Sequence, residues 1–281
     1  MNIRKRISSA PSFLFKILIA IVFLCPFYIA VCYSFKSTQE LAATGMAFPT
    51  TFHIENFAEA IASTERAGMP FWKVIGNTFA VTVVGTVLLT IFSSMSAYVI
   101  ARRKGKLYSI SYSLMVLTLL IPIQAYMFPL STMLRTMQLN NTLTGFLLAK
   151  IGSQIGYSVI ITTGFVRSIP HEVEQSACVD GAGVFQTFFR IVMPLMRPIL
   201  LTSIVINALN IWNDFSLAFI VLSKTDKYIV SLLQFAFIGS NATQLNLAFA
   251  MFTMSMIPIL LLYFFLQRHI IGGITMGSMK G

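Results

Sequence analysis

The sequence predicts an all-α membrane protein of six transmembrane helices, and three observations carry that prediction. Hydrophobic residues make up 56% of the 281 and charged residues only 10%, against roughly 25% charged in soluble domains. Apolar runs recur at the ~20-residue length that crosses a bilayer. The twenty Lys and Arg residues collect on alternate loops, the asymmetry that orients membrane spans.

The first run, 11–35, follows Arg4, Lys5 and Arg6. It continues too far for a removed signal peptide and lacks a small-residue cleavage pattern, so it reads as a signal anchor. Its Cys25 and Cys32 stand roughly 10 Å apart along a helix, beyond disulfide reach. Cys178 falls in a loop, so the three cysteines suggest no redox or metal framework. In the outer segment 36–72, Ile54, Phe57 and Ile61 recur at helical spacing, which predicts a short amphipathic helix resting on that face.

The second run, 74–100, ends on Arg102-Arg103-Lys104-Gly105-Lys106, a topology anchor for the lipid headgroups. The third, 108–134, contains Pro122 and Pro129, and proline bends a helix by removing a backbone bond. The fourth, 143–169, is weaker: 152–156 interrupts it and Lys150 lies within it. It reads as a short outer-leaflet piece before the crossing helix, with Lys150 near the outer interface. Runs 195–222 and 245–266, the latter holding Pro258, complete the six. With both termini cytoplasmic, thirteen Lys and Arg lie inside and six outside, with Lys150 the twentieth. That distribution accounts for the net charge of +11 without a nucleic-acid partner, which needs a clustered basic face.

The functional possibilities narrow by absence. No G-x-x-x-x-G-K-[ST] loop occurs, so ATP must be hydrolysed elsewhere if it is used. For ion coupling the runs offer Asp214 and Lys150, and His53, His171 and His269 fall in loops or tails. Ion-coupled transport, which places several such groups at membrane depth, is disfavoured. No H-E-x-x-H, paired aspartate or Ser-His arrangement supports an intramembrane enzyme. Asn210, Asn213 and Asp214, around Trp212, stand at i, i+3 and i+4. One polar face of a helix follows, turned to the bundle interior or a wet cavity. It serves either as the lining of a path or as a packing network.

The most patterned stretch is the loop 171–198, HEVEQSACVDGAGVFQTFFRIVMPLMRP. Two short helices flank the Gly181-Ala182-Gly183 break, the second running from Val184 to Ile191 and stopping before Pro194. Phe185, Phe188 and Phe189 put large rings in a segment that hydropathy assigns to water, a patch that calls for a partner.

This loop resembles the EAA loop of carbohydrate ABC-importer permeases, in the frame Gln175-Ser176-Ala177, Gly181, Pro194. Asp180, Ala182, Gln186, Phe188, Arg190, Ile191 and Pro198 also match. One position departs: Gln175 stands where the family has Glu, and the nearest acid, Glu174, lies about 100° around a helix. The Asn210–Phe215 island is similar to the W-N-x-F pattern of sugar-importer permeases. The tail 267–281, with Gly273, Thr275, Gly277, Lys280 and Gly281, is similar to the glycine-punctuated end of the maltose-type subunit.

The resemblance implies a type I ABC-importer permease fold, a single permease domain over 1–281. It implies ATPase coupling through Glu174, Gln175, Ala177, Asp180, Gly181, Ala182, Phe185, Gln186, Phe188 and Pro194, and a substrate path at Asn210, Trp212, Asn213 and Asp214. The tail residues Gly273, Thr275, Gly277 and Lys280 would enter the ATPase interface. The implied partners are a second permease subunit, two ATPase subunits holding ATP and Mg, an extracytoplasmic solute-binding protein and a sugar. No catalysis, metal or cofactor is expected in this chain, which would sit in a bacterial or archaeal cytoplasmic membrane. The alternatives are a permease for another solute, such as a phosphorylated polyol or a polyamine, and a non-ABC channel or scaffold.

Overall fold

A computed structural model describes residues 3–240 and 244–278, with side chains described over 12–239, 244–265 and at 267. The helices are α1 (Ile3–Ser34), α2 (Thr38–Thr44), α3 (Glu55–Arg66), α4 (Phe71–Arg102), α5 (Lys106–Leu120), α6 (Ile123–Thr136) and α7 (Leu143–Ser168). They continue as α8 (Glu172–Val179), α9 (Val184–Thr187), α10 (Met193–Leu195), α11 (Arg197–Trp212), α12 (Ser216–Val221), α13 (Val230–Ser240) and α14 (Leu245–Ser278). Among the described residues four helices are long and apolar enough to cross a membrane alone, and two sharply bent pairs raise the number to six.

The chain divides into two compact units, 1–68 with 234–257, and 69–233 with 258–281. In the first, the end of α1 is tied down by polar contacts. The fully buried Lys36 donates from Nζ to Thr44 Oγ1 (2.9 Å) and to the Gly45 carbonyl (2.8 Å). Asn56 Nδ2 donates to the Ser34 and Lys36 carbonyls, both at 2.9 Å, and Asn246 Nδ2 donates to Asn56 Oδ1 at 3.0 Å. Tyr33 packs edge-on against Phe249. The helix expected in 36–72 is present as α3, but its buried stripe is Asn56, Ala60 and Thr64, while Ile54 is 68% exposed. The carbonyls freed where α1 ends need donors more than Ile54 needs cover, and Asn56 supplies them.

The second unit is built on α4, which packs against α7 and α11. The seam is a run of small and hydroxyl side chains: Thr78, Thr82, Gly85, Thr86, Thr90, Ser93, Ser94 and Ala97 are all buried. Small residues let helix backbones approach closely where lipid removes the ordinary hydrophobic drive. Hydroxyls of Thr78 and Thr90 donate back to the Val74 and Thr86 carbonyls, each at 2.7 Å. Across α7 and α11, Gln154 Nε2 (2.9 Å) and Ser158 Oγ (3.0 Å) both donate to Oδ1 of the fully buried Asn207. Two apolar clusters fill this unit, one around Leu89, Phe146, Ile211 and Leu217, the other around Ala97, Val166, Phe188, Val192 and Met196.

Three of the sequence expectations need correction. The third run is not one kinked helix: α5 and α6 meet at 105°, because Ile121, preceding Pro122, is held in an extended conformation (ψ 109°). Pro129 and Pro258 sit inside α6 and α14 without breaking them. The fourth run is not split at 152–156, since α7 is continuous from Leu143 to Ser168. Of the two glycines in that stretch Gly156 is used for contact: a Cβ on it would collide with Thr118 Oγ1 and lie 3.0 Å from the Met115 carbonyl. The fifth run breaks after Trp212 and resumes as α12.

Gly156→Ala should therefore cost about 1–3 kcal/mol through overpacking, read as an unfolding midpoint several degrees lower in detergent. Gly152→Ala, where an added methyl meets nothing within 4 Å, is the control and should leave the midpoint in place.

Candidate functional site

The loop 171–198 is two helices about a turn. Asp180 closes α8, Gly181 takes the left-handed φ of +83°, and the N–H of Ala182 returns to the Ala177 carbonyl at 2.9 Å. The second helix does not stop before Pro194. It widens to a π turn over Phe188–Val192, where the Met193 N–H reaches the Phe188 carbonyl, and continues to Leu195. The register therefore changes at the residue before Pro194, which has no N–H to place. A 76° bend at Met196, before Pro198, leads into α11.

This segment has a held face and an offered face. On the held face Glu174 is 7% exposed. Its Oε1 accepts Arg102 Nε at 2.7 Å and lies 2.6 Å from Nη2, while its Oε2 accepts the Tyr98 hydroxyl at 3.1 Å. Arg102 Nη2 also donates to the Ile169 carbonyl at 2.9 Å. Ala177 and Phe188 are buried too, the Phe188 ring lying 5.2 Å from Tyr98. On the offered face stand Val179 (88% exposed), Phe185 (72% exposed) and Val184, with Gln175, Asp180, Gly181, Gln186 and Pro194 also exposed. Ala182 is half-buried. The ten residues expected to couple thus do not form one surface. Glu174 and Phe188 hold the loop to α4 through Arg102 and Tyr98, Ala177 is buried, Ala182 is half-buried, and the other six are exposed.

The polar island lies at a helix break. α11 ends at Trp212, and the Asp214 carboxylate bridges to α12: its Oδ1 accepts the backbone N–H of Leu217 (3.0 Å) and Ala218 (3.3 Å). Its Oδ2 takes Lys150 Nζ of α7 at 2.6 Å, with both side chains under a tenth exposed. Ser231 Oγ donates to the Asp214 carbonyl at 2.5 Å. Lys150 is therefore turned into the protein, because a buried carboxylate needs a counter-charge. Asn210, Asn213, Asp214 and Lys150 line one cleft of about 450 Å³, edged by Ile123, Leu209, Phe215 and Ser216. Trp212 is buried and is absent from that lining.

Of the tail residues, Gly273, Thr275 and Gly277 fall in α14, and Lys280 lies outside the described residues. Sequence reasoning missed Arg102, treated as a headgroup anchor, and Lys150. Two opposite charges alone in a membrane-buried set are the signal that could have paired Lys150 with Asp214.

Residues 90–275 match the family described as "binding-protein-dependent transport system inner membrane component". The chain is 33% identical to the melibiose/raffinose/stachyose import permease protein MelC of Bacillus subtilis, covering 94% of each sequence. It is 30% identical to the multiple sugar-binding transport system permease protein MsmG of Streptococcus mutans, covering 92% of this chain and 93% of that one. The structure superposes with a TM-score of 0.79, at 21% identity, on a chain of the crystal structure of a bacterial ABC transporter involved in import of the acidic polysaccharide alginate. That match covers 95% of this chain and 98% of the other, and it carries the fold.

If Arg102 and Glu174 hold the loop by their mutual contact, their losses are not additive. Glu174→Met alone leaves a guanidinium buried without its carboxylate and should cost about 3–5 kcal/mol. The double replacement Arg102→Met with Glu174→Met should cost at least ~1 kcal/mol less than the sum of the singles, measured by unfolding in detergent. Simple additivity would show that the pair does not hold the loop.

Proposed function

The chain belongs to the binding-protein-dependent transport inner membrane components, and from that membership we propose that it is one permease subunit of an ATP-driven importer of sugars or oligosaccharides. The observation that carries the sugar reading is the near full-length similarity, at 33% identity, to MelC, an import permease for melibiose, raffinose and stachyose. On this reading the chain is a single permease domain forming half of a translocation path with a second permease subunit. It is not an enzyme, and ATP and Mg are bound by two separate ATPase subunits. An extracytoplasmic binding protein delivers the sugar, and both termini lie in the cytoplasm of a bacterial or archaeal cell. The excess of Lys and Arg on the 102–106 and 171–198 side supports that orientation.

The outward residues of the loop, Gln175, Asp180, Gly181, Phe185 and Gln186, meet the ATPase, and Gly273, Thr275, Gly277 and Lys280 approach its interface. Exposed Val179, Val184 and Phe185 form an apolar patch on a segment outside the spans, and its burial by a partner removes that area from water. Asn210, Asn213 and Asp214 line the path through the cleft they share with Lys150.

Purification from native membranes in mild detergent, with mass spectrometry, should recover a second permease, an ATPase and a sugar-binding protein. Recovery without any ATPase would sink this reading in favour of a channel or scaffold, and a polyamine or phosphorylated polyol on the binding protein would replace the substrate.

Two substitutions test the loop in the reconstituted complex. Phe185→Ser removes an exposed ring, so the unfolding midpoint should hold while substrate-stimulated ATPase activity falls roughly tenfold, as for a central interface anchor. Gln175→Glu should be tolerated, any gain in coupling fading with added salt. Full stimulation in Phe185→Ser would remove the ring from the contact.

A further inference from the structure

We propose that the cleft beside Asp214 is charge-balanced by construction, so that the path admits uncharged polyhydroxylated substrates and discriminates against both acidic sugars and cations. This rests on the path reading above and adds to it the charge class of what passes. Among the described residues the only charged side chains on the cleft wall are Lys150 and Asp214, joined at 2.6 Å. Both carboxylate oxygens are engaged, Oδ2 by Lys150 and Oδ1 by the Leu217 and Ala218 N–H groups. A cation entering the cleft meets a carboxylate already neutralised, and an anion meets an ammonium already neutralised. An anion that takes a spare N–H of Lys150 stands beside the Asp214 carboxylate as well, so for either ion to gain an unopposed counter-charge the buried pair must separate and leave its other member uncompensated.

What remains on offer is neutral. Asn210 and Asn213 direct their Nδ2 groups to the Ile206 and Leu209 carbonyls, both at 2.9 Å. Their amide oxygens are left as acceptors. Lys150, with three N–H donors, uses one on Asp214, and the Ser216 hydroxyl lies on the same wall. Hydroxyl groups, which both donate and accept, fit that set, and the apolar edge of Ile123 and Leu209 suits the C–H faces of a sugar ring. A carboxylate, which only accepts, brings the two amide oxygens no donor.

The charge of the cleft can be read directly. Ser216→Cys, in a chain whose Cys25, Cys32 and Cys178 are replaced by Ser, puts one thiol on the wall of the assembled complex in proteoliposomes. Two thiosulfonate reagents of equal size, one a quaternary ammonium and one a sulfonate, are compared by labelling rate, each normalised to its rate with free cysteine. With the pair intact the two normalised rates should agree within about threefold. Asp214→Asn, leaving Lys150 alone, should tilt the ratio at least about fivefold toward the sulfonate, and Lys150→Gln as far toward the ammonium, as one uncompensated charge a few Å away requires. The double variant should return the ratio to its starting value. A preference beyond fivefold with the pair intact, or single variants that leave the ratio unmoved, overturns the proposal while the path stands. Failure of both reagents to label in every nucleotide state defeats the path reading itself. The ratio with the pair intact is decisive even where a variant does not fold.

Discussion

A bilayer core supplies no hydrogen-bond partner, and in the second unit every break in a helix has to be repaired from within the chain. The interruption between α11 and α12 is the severest case, because it frees carbonyls at one helix end and N–H groups at the next. Asp214 repairs it by accepting the Leu217 and Ala218 N–H groups. A carboxylate buried for that purpose would be intolerable alone, so Lys150 is drawn in from α7 at 2.6 Å. The cleft, the short α12 and the placement of Asn210 and Asn213 all follow from that one carboxylate.

The same logic operates at the other end of the unit on Glu174. Its pairing with Arg102 and Tyr98 consumes the acid nearest the position where the family has Glu, and Gln175 beside it is neutral. The loop's attachment to its own chain is therefore ionic, while the surface it offers outward is largely apolar and amide. From that surface a packed route leads inward: Phe188, Val192 and Met196 share one buried cluster with Ala97 and Val166, and α11 begins at the next residue. Packed side chains thus run without interruption from the loop, across the 76° bend at Met196, to the helix that ends at the cleft.

Hydropathy and spacing made the six spans, the two-part loop and the polar island legible, because each is a local pattern along one segment. What they did not reveal depends on a second segment. Lys150 and Asp214 are 64 residues apart, and an isolated Lys in a weak apolar run looks interfacial until its partner is known. The Asn210, Asn213 and Asp214 periodicity did point to one cleft, although the helix ends before Asp214. The break at Pro122 was readable as a bend, whereas its 105° depends on how α5 and α6 pack on α7. In α3 the apolar pattern was right for Phe57 and Ile61, which are half-buried, Phe57 against Phe35, and failed for exposed Ile54, because backbone carbonyls at the end of α1 claim Asn56 for the buried stripe.

The crossing bonds are distributed unevenly between the seams. Among the described residues α4 and α7 meet mainly through small side chains, whose hydroxyls at Thr78, Thr90 and Thr163 donate back to their own helix, while Arg102 closes the C-terminal end on the Ile169 carbonyl. The joint between α7 and the α11 end is different in kind: Gln154 and Ser158 meet Asn207, and Lys150 meets Asp214. Sliding α4 along α7 exchanges one set of close contacts for another over most of the seam, but at its C-terminal end it parts Arg102 from the Ile169 carbonyl. Parting α7 from α11 breaks a buried amide network and a buried ion pair together. Buried polar bonds therefore concentrate where α7 meets the α11 end around the cleft, whereas α4 is held to α7 by close packing along its length and by Arg102 at its end.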